Sequence, residues 1–203
     1  FKTLPGKLSQ IPIRDRGEST THYFVSFPPM PAILLMPFVA AVGYGANDVL
    51  FTIIFGALNG VLFYALLIAL RKAGHSLRTP SDNHWLVVCL AFGSAHLWCS
   101  VLGQVWFTAL IVGVTFHIAY IYFAFDLRRP FLAGLCLAAA FATRAPLVFG
   151  AIFFYWQLFL GPRRARSVSE AWRPFVAFSL PCLVVGLTLM AVSYTHLRAH
   201  ETS

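Results

Sequence analysis

Charge is scarce in this chain. Only 11% of its 203 residues are Asp, Glu, Lys or Arg, against roughly 25% in an ordinary soluble domain. With 59% hydrophobic residues and a mean hydropathy of +0.74, that shortage excludes a soluble globular domain. Acids are rarer still, seven against fifteen bases. The resulting charge of +8 does not make a nucleic-acid binder, which needs its bases gathered on one folded polar face. Here they sit in short links between apolar runs. Cysteine is sparse too: Cys89, Cys99, Cys136 and Cys182 are scattered through apolar runs without CxxC spacing. That pattern argues against a disulfide framework or metal site, and the four read as small core residues. No metal ligand set and no cofactor motif stands out. The chain also lacks an initial Met and opens on Phe1, so its authentic N-terminus is expected upstream.

What is present is a series of long apolar runs, several of which reach the roughly 17–25 residues needed to cross a bilayer. The expected fold class is all-α, a polytopic transmembrane helical bundle of about six spans plus an interfacial helix. Residues 1–27 are polar and turn-rich and read as an outer loop segment. Residues 28–191 form the transmembrane region. Within it, residues 28–45 are apolar but short and broken by Pro28, Pro29, Pro31 and Pro37, which favours an interfacial or partly inserted helix over a crossing one. Val49–Leu70 is a clean span of about 33 Å at 1.5 Å per residue. Trp85–Phe125 is twice that length and reads as a hairpin turning near Gly103-Gln104. Phe131–Leu160 reads as a second pair folding back near Thr143–Pro146, and Phe175–Ala191 as a last span. The tail from Val192, "VSYTHLRAHETS" with the preceding residues, stops looking like membrane sequence after Met190. Residues 192–203 resemble the translation of a transposon-end sequencing adapter and are set aside from the fold.

Arg71, Lys72, Arg78, Arg128, Arg129, Arg163, Arg164, Arg166 and Arg173 all fall in three links that the hairpins return to one side. By the positive-inside rule that side is cytoplasmic. The opposite, outer face then collects Asp15, Glu18, His22, Tyr23, Asp48, His96, Trp98, Gln104, Trp106 and Arg144. Most have ordinary explanations. Tryptophans near span ends anchor the interface, His96 and His117 suit hydrogen-bonded core positions, Asp15 and Glu18 suit a solvated loop, and Asp48 suits a helix cap. Arg144 is harder to dismiss. A charge at the bilayer centre costs at least about 2.5–3.5 kcal/mol, so the helix-hairpin turn at the membrane edge is its expected place. A guanidinium there is a good bidentate partner for a lipid phosphate, with snorkelling or an internal ion pair as the alternatives.

The stretches "HYFVSFPPMPAILLMPF" (22–38), "FGSAHLWCSVLGQVWFTALIVGVTF" (92–116) and "RRPFLAGLCLAAAFATRAPLVF" (128–149) resemble successive segments of bacterial GT-C class glycosyltransferases. These are the polytopic family-39-like enzymes, including protein O-mannosyltransferases and lipid A aminoarabinose transferases. The resemblance covers residues 22 to about 160 and rests on the order and spacing of the motifs. It implies a GT-C-like fold in the bacterial inner membrane, and transfer of a sugar from a polyprenyl-phosphate-linked donor to a lipid, glycan or protein acceptor on the outer face. An outer-loop carboxylate would then deprotonate or orient the acceptor, with Asp15 and Glu18 standing in that place. Arg144 would hold the leaving phosphate, and His22, Tyr23, His96 and Gln104 would line the substrate pocket. The aminoarabinose-type enzymes carry Glu-Lys before the two prolines, where this chain has Ser26-Phe27. No cofactor, metal or nucleic-acid partner is implied.

The competing expectation is a non-enzymatic membrane protein, a transporter-like or flippase-like bundle or an envelope scaffold. A transporter gathers its polar residues at the membrane midplane, a GT-C-like transferase at the outer face. By sequence only His117 lies clearly at mid-span.

Overall fold

The computed structural model describes residues 29–161 and 165–201. Among them every regular element is helical. In chain order these are α1 (Pro29–Val42), α2 (Asp48–Lys72), α3 (Pro80–Phe92), α4 (Ala95–Leu102), α5 (Val105–Ala124), α6 (Pro130–Thr143), α7 (Ala151–Phe159) and α8 (Val168–Glu201). Short 3-10 turns at Gly43–Gly45, Phe125–Leu127 and Ala145–Gly150 join some of them. Three helical segments are long and apolar enough to cross a membrane: Asp48–Lys72, Val105–Leu127 and Val168–Val192. Counting α3 and α4, bent by 51° at their junction, as one broken span makes four.

The stretch expected to be a second hairpin of full spans is shorter in form. It consists of the 14-residue α6, a 3-10 turn and the nine-residue α7. Fourteen residues rise only about 21 Å, below the roughly 30 Å hydrocarbon thickness. Pro146 opens the 3-10 turn, and a proline ring blocks the helical hydrogen bond that would carry α6 onward. α1, also 14 residues and with no buried residue, is likewise too short to cross upright. It rests on the bundle, with the Phe38 ring 5.5 Å from Phe51.

Helix boundaries follow local chemistry more than hydropathy. α2 is capped by Asn47, whose side chain accepts the Leu50 amide at 3.1 Å. Asp48, expected as the cap, is instead the first helical residue, where its charge favours the helix N-terminus. α3 starts five residues before Trp85, because Thr79 and Asp82 form a reciprocal capping box around Pro80. That box satisfies backbone donors that would otherwise be orphaned. α8 begins at Val168 and runs to Glu201, so the last helix neither starts at Phe175 nor stops at Ala191.

Small side chains let the centre of the bundle close up. α6 lies between α5 and α8 and buries Ala133, Gly134, Ala138, Ala140 and Ala142. Helix pairs in lipid associate by such close approach, since lipid tails are as apolar as leucine. Around α6 the core is built from Tyr120, Leu137, Phe154, Leu158 and Phe178. The Phe154 and Phe178 rings stack at 3.9 Å. The Tyr120 hydroxyl donates to the Gly150 carbonyl at 2.6 Å and accepts the Phe154 amide at 3.1 Å.

The loops sort to two ends. His75, in the link after α2, lies with its Nε2 3.8 Å from the buried Asp126 carboxylate and its ring edge-on to Phe125 at 4.9 Å. The links carrying Arg71–Arg78 and Arg128-Arg129 therefore meet. Leu127, Ala165 and Ala171 pack on one core cluster, which brings in the third link. At the other end, a Cβ on Gly103 would meet the Val49 Cα and Cγ2 at 2.5 Å. Only glycine fits this contact and its left-handed φ of 58°, so the turn before α5 seats against the start of α2.

Candidate functional site

Arg144 ends α6 in an extended conformation (φ −154°, ψ 123°), its amide still bonded to Ala140. The break turns its side chain toward the start of α5. There Nη2 donates to the Trp106 carbonyl at 3.4 Å, and the guanidinium lies 5.5 Å from the centre of the Trp106 ring. A cation over an indole face is held electrostatically while its edge donors stay available. No carboxylate of a described residue lies within ion-pair distance of Arg144, so the internal ion pair is not formed among them. Gln104 is exposed two residues away from Trp106 and makes no capping bond to α5. The structure thus places Arg144 and Gln104 at the same end of the bundle, with Trp106 between them in the chain.

His96 goes elsewhere. Its Nε2 accepts a hydrogen bond from the Asn59 amide at 3.1 Å, and Asn59 lies near the middle of the 25-residue α2. The same amide nitrogen donates to the Ile111 carbonyl at 3.1 Å, and the Asn59 oxygen accepts from Thr115 Oγ1 at 2.6 Å. Because the Ile111 carbonyl can only accept, it fixes which way the Asn59 amide points. One and two turns toward the Arg144 end, Thr52 and Thr108 share a buried hydroxyl–hydroxyl bond of 2.7 Å. A polar seam therefore runs between α2, α4 and α5 inside the bundle. His117 on α5 is separate, with its buried Nδ1 lacking a hydrogen-bond partner among the described residues.

Asp15, Glu18, His22 and Tyr23 lie outside the described residues. Asn59, Thr52, Thr108 and Thr115 were not singled out by sequence, yet their spacing carried the signal. Thr52, Gly56 and Asn59 share one face of α2 at i, i+4 and i+7, and Thr108 and Thr115 repeat at i+7 on α5. Asn59→Leu would leave His96 Nε2 without its donor and reduce Thr115 Oγ1 to its bond within α5 to the Ile111 carbonyl at 3.1 Å. Interhelical hydrogen bonds in membranes average about 0.6 kcal/mol and reach about 1.7. A loss of about 1–2 kcal/mol is expected in a mixed-micelle unfolding titration, and no loss would show that the seam does not tie α2 to α5.

Among the described residues no three His, Cys, Asp or Glu side chains converge as a metal site. Comparison with known family models, curated proteins and solved structures finds no match.

Proposed function

We propose that the chain belongs to a membrane glycosyltransferase of the GT-C type it resembles, with Arg144 holding the phosphate of a polyprenyl-phosphate-linked sugar at the outer membrane face. The observation that carries this reading is Arg144 itself. It is a cation at a helix break, braced on Trp106 and its carbonyl, at the end of the bundle opposite the meeting basic links. In transfer, the sugar–phosphate bond breaks and negative charge develops on the departing phosphate. A fixed guanidinium stabilises that charge without reorganising. Gln104 stands at the same end to contact donor or acceptor, and Asp15 or Glu18 remains the proposed base that takes the acceptor's proton. The six-span GT-C arrangement belongs to this proposal, with α6 and residues 145–159 counted as short crossings. The orientation, the bacterial inner membrane and the lipid, glycan or protein acceptor are part of it as well.

The test is donor retention. Chain purified in detergent is incubated with a polyprenyl-phosphate sugar and, separately, with a diacyl phospholipid, and bound lipid is counted by native mass spectrometry. Preferential retention of the polyprenyl donor is expected. Equal retention of both lipids would sink the reading.

A second reading has its own observation. The Asn59–His96–Thr115 seam lies inside the bundle, where a transporter would place its polar groups. Its hydrogen bonds are mutually satisfied, which suits a packing role better than a solute path. Proton- or solute-driven flux in sealed vesicles that disappears with His96→Ala would favour transport.

A further inference from the structure

We propose a second lipid site at the opposite end of the molecule: the cavity between the last turns of α2 and the first turn of α3 holds the headgroup of an anionic phospholipid. The cavity has a volume of about 380 Å³ and is lined by Tyr64, Ile68, Arg71, Lys72, Pro80 and Asn83. That size falls within the roughly 300–1,000 Å³ of small-ligand pockets.

Asn83 is the side chain that asks for a ligand. It is 2% exposed and lines the cavity. Its backbone amide is bonded to the Thr79 carbonyl, but its side chain has no hydrogen-bond partner among the described residues. Its side-chain amide atoms are not among the sealed, unpaired polar atoms of the described residues, so they are open to the cavity they line. A phosphate or glycerol oxygen in the cavity would accept from it.

The surrounding charge selects an anion. Arg71 and Lys72, both in the last turn of α2, form no ion pair with a described carboxylate. Arg78 and His84 add further basic groups on the same link and helix. Two acids are near. The Asp82 carboxylate is committed to the Thr79 amide and hydroxyl, each at 2.8 Å, and Asp126 faces His75. Basic pockets between helix ends bind anionic headgroups in this way.

A free phosphate would also answer to the two bases, but the walls favour a lipid. Tyr64 and Ile68 present apolar surface, and the Tyr64 ring is stiffened by stacking on His84 at 4.8 Å. Trp85, one turn along α3, is 67% exposed, as a tryptophan anchoring the membrane–water boundary would be. The cavity therefore opens at the level where headgroups lie.

The full chain in detergent is titrated with phosphatidylglycerol and with phosphatidylcholine, and bound lipid is read by native mass spectrometry. Phosphatidylglycerol should be retained in preference. Each basic side chain near an anionic surface is worth about fivefold, so Arg71→Gln with Lys72→Gln should weaken retention about 25-fold, while Arg173→Gln leaves it unchanged. Asn83→Leu keeps every charge but removes the amide, and a loss of about fivefold is expected. Equal retention of the two lipids overturns the site. So does a loss with the double variant but none with Asn83→Leu, which would mark diffuse surface attraction. Should Asn83→Leu fail to fold, the comparison of the double variant with Arg173→Gln decides: diffuse attraction would weaken retention in both, and that result overturns the site. Displacement of the lipid by excess inorganic phosphate would overturn the lipid assignment in favour of a soluble phosphate ligand.

Discussion

Arg144→Ala is expected to weaken binding of a polyprenyl-phosphate sugar about a hundredfold while leaving membrane insertion and yield near wild type. A hydrogen bond to a charged group contributes about 1.5–3 kcal/mol, and a guanidinium engages phosphate through two such bonds. Part of that gain is offset by desolvation, so a net loss of about 3 kcal/mol is reasonable. Folding should be spared because, among the described residues, the Arg144 side chain makes one long hydrogen bond, 3.4 Å, and one ring contact. Arg144→Lys distinguishes geometry from charge. An ammonium restores the positive charge but not the planar fork, so it should recover only part of the affinity, leaving a deficit of about tenfold. If alanine binds the donor as tightly as arginine, Arg144 is a membrane-edge cation and no more.

Gly134→Val is the second large effect, and it falls on stability. A Cβ placed on Gly134 would run into the Phe178 carbonyl oxygen, with the Phe178 carbonyl carbon 2.9 Å away. These are backbone atoms, so no side-chain rotation relieves the clash. Overpacking a core ordinarily costs about 1–3 kcal/mol. Here α6 must separate from α8 along the seam that also carries the Phe154–Phe178 stack and the Cys182 thiol contact with the Gly134 carbonyl, so the upper end of that range or more is expected. Gly186→Ala on α8 is the control, because nothing lies within 4 Å of its Cβ. There the change should be neutral or slightly stabilising, since alanine favours helix over glycine. Thermal unfolding of the three proteins in one detergent checks both. A Gly134→Val protein that unfolds with the wild type would show that α6 and α8 do not pack as described.

Hydropathy and charge made the ends of the molecule legible. The three basic links do meet through His75, Asp126, Leu127 and Ala171, and the chain does break at Gly103 and Arg144. The reason is energetic: charges and helix-breaking residues are expelled from an apolar run, so they mark its ends whatever the packing. Helix boundaries were less legible. Thr79, Asp82 and Asn47 extend or cap helices through local hydrogen bonds, and a hydropathy window sees them only as polar residues outside a span. The bend at Gly93-Ser94 was invisible for the opposite reason. Ser94 caps α4 by accepting the His96 amide at 3.1 Å, yet the run around it stays apolar. His96 itself was read from its position in the chain, whereas its place beside Asn59 depends on that bend. Candidate residues before Pro29 stand on the sequence alone.

The most direct measurement is mapping where the polyprenyl chain and its phosphate lie. A photoactivatable polyprenyl phosphate is crosslinked to the purified protein in nanodiscs, and the labelled peptides are identified by mass spectrometry. Labelling concentrated around Gln104–Phe107 and Thr143–Leu147, and lost with Arg144→Ala, is the expected result. Labelling at Tyr64–Asn83 instead, or spread evenly over the lipid-facing helices, would contradict the placement of the donor site at Arg144.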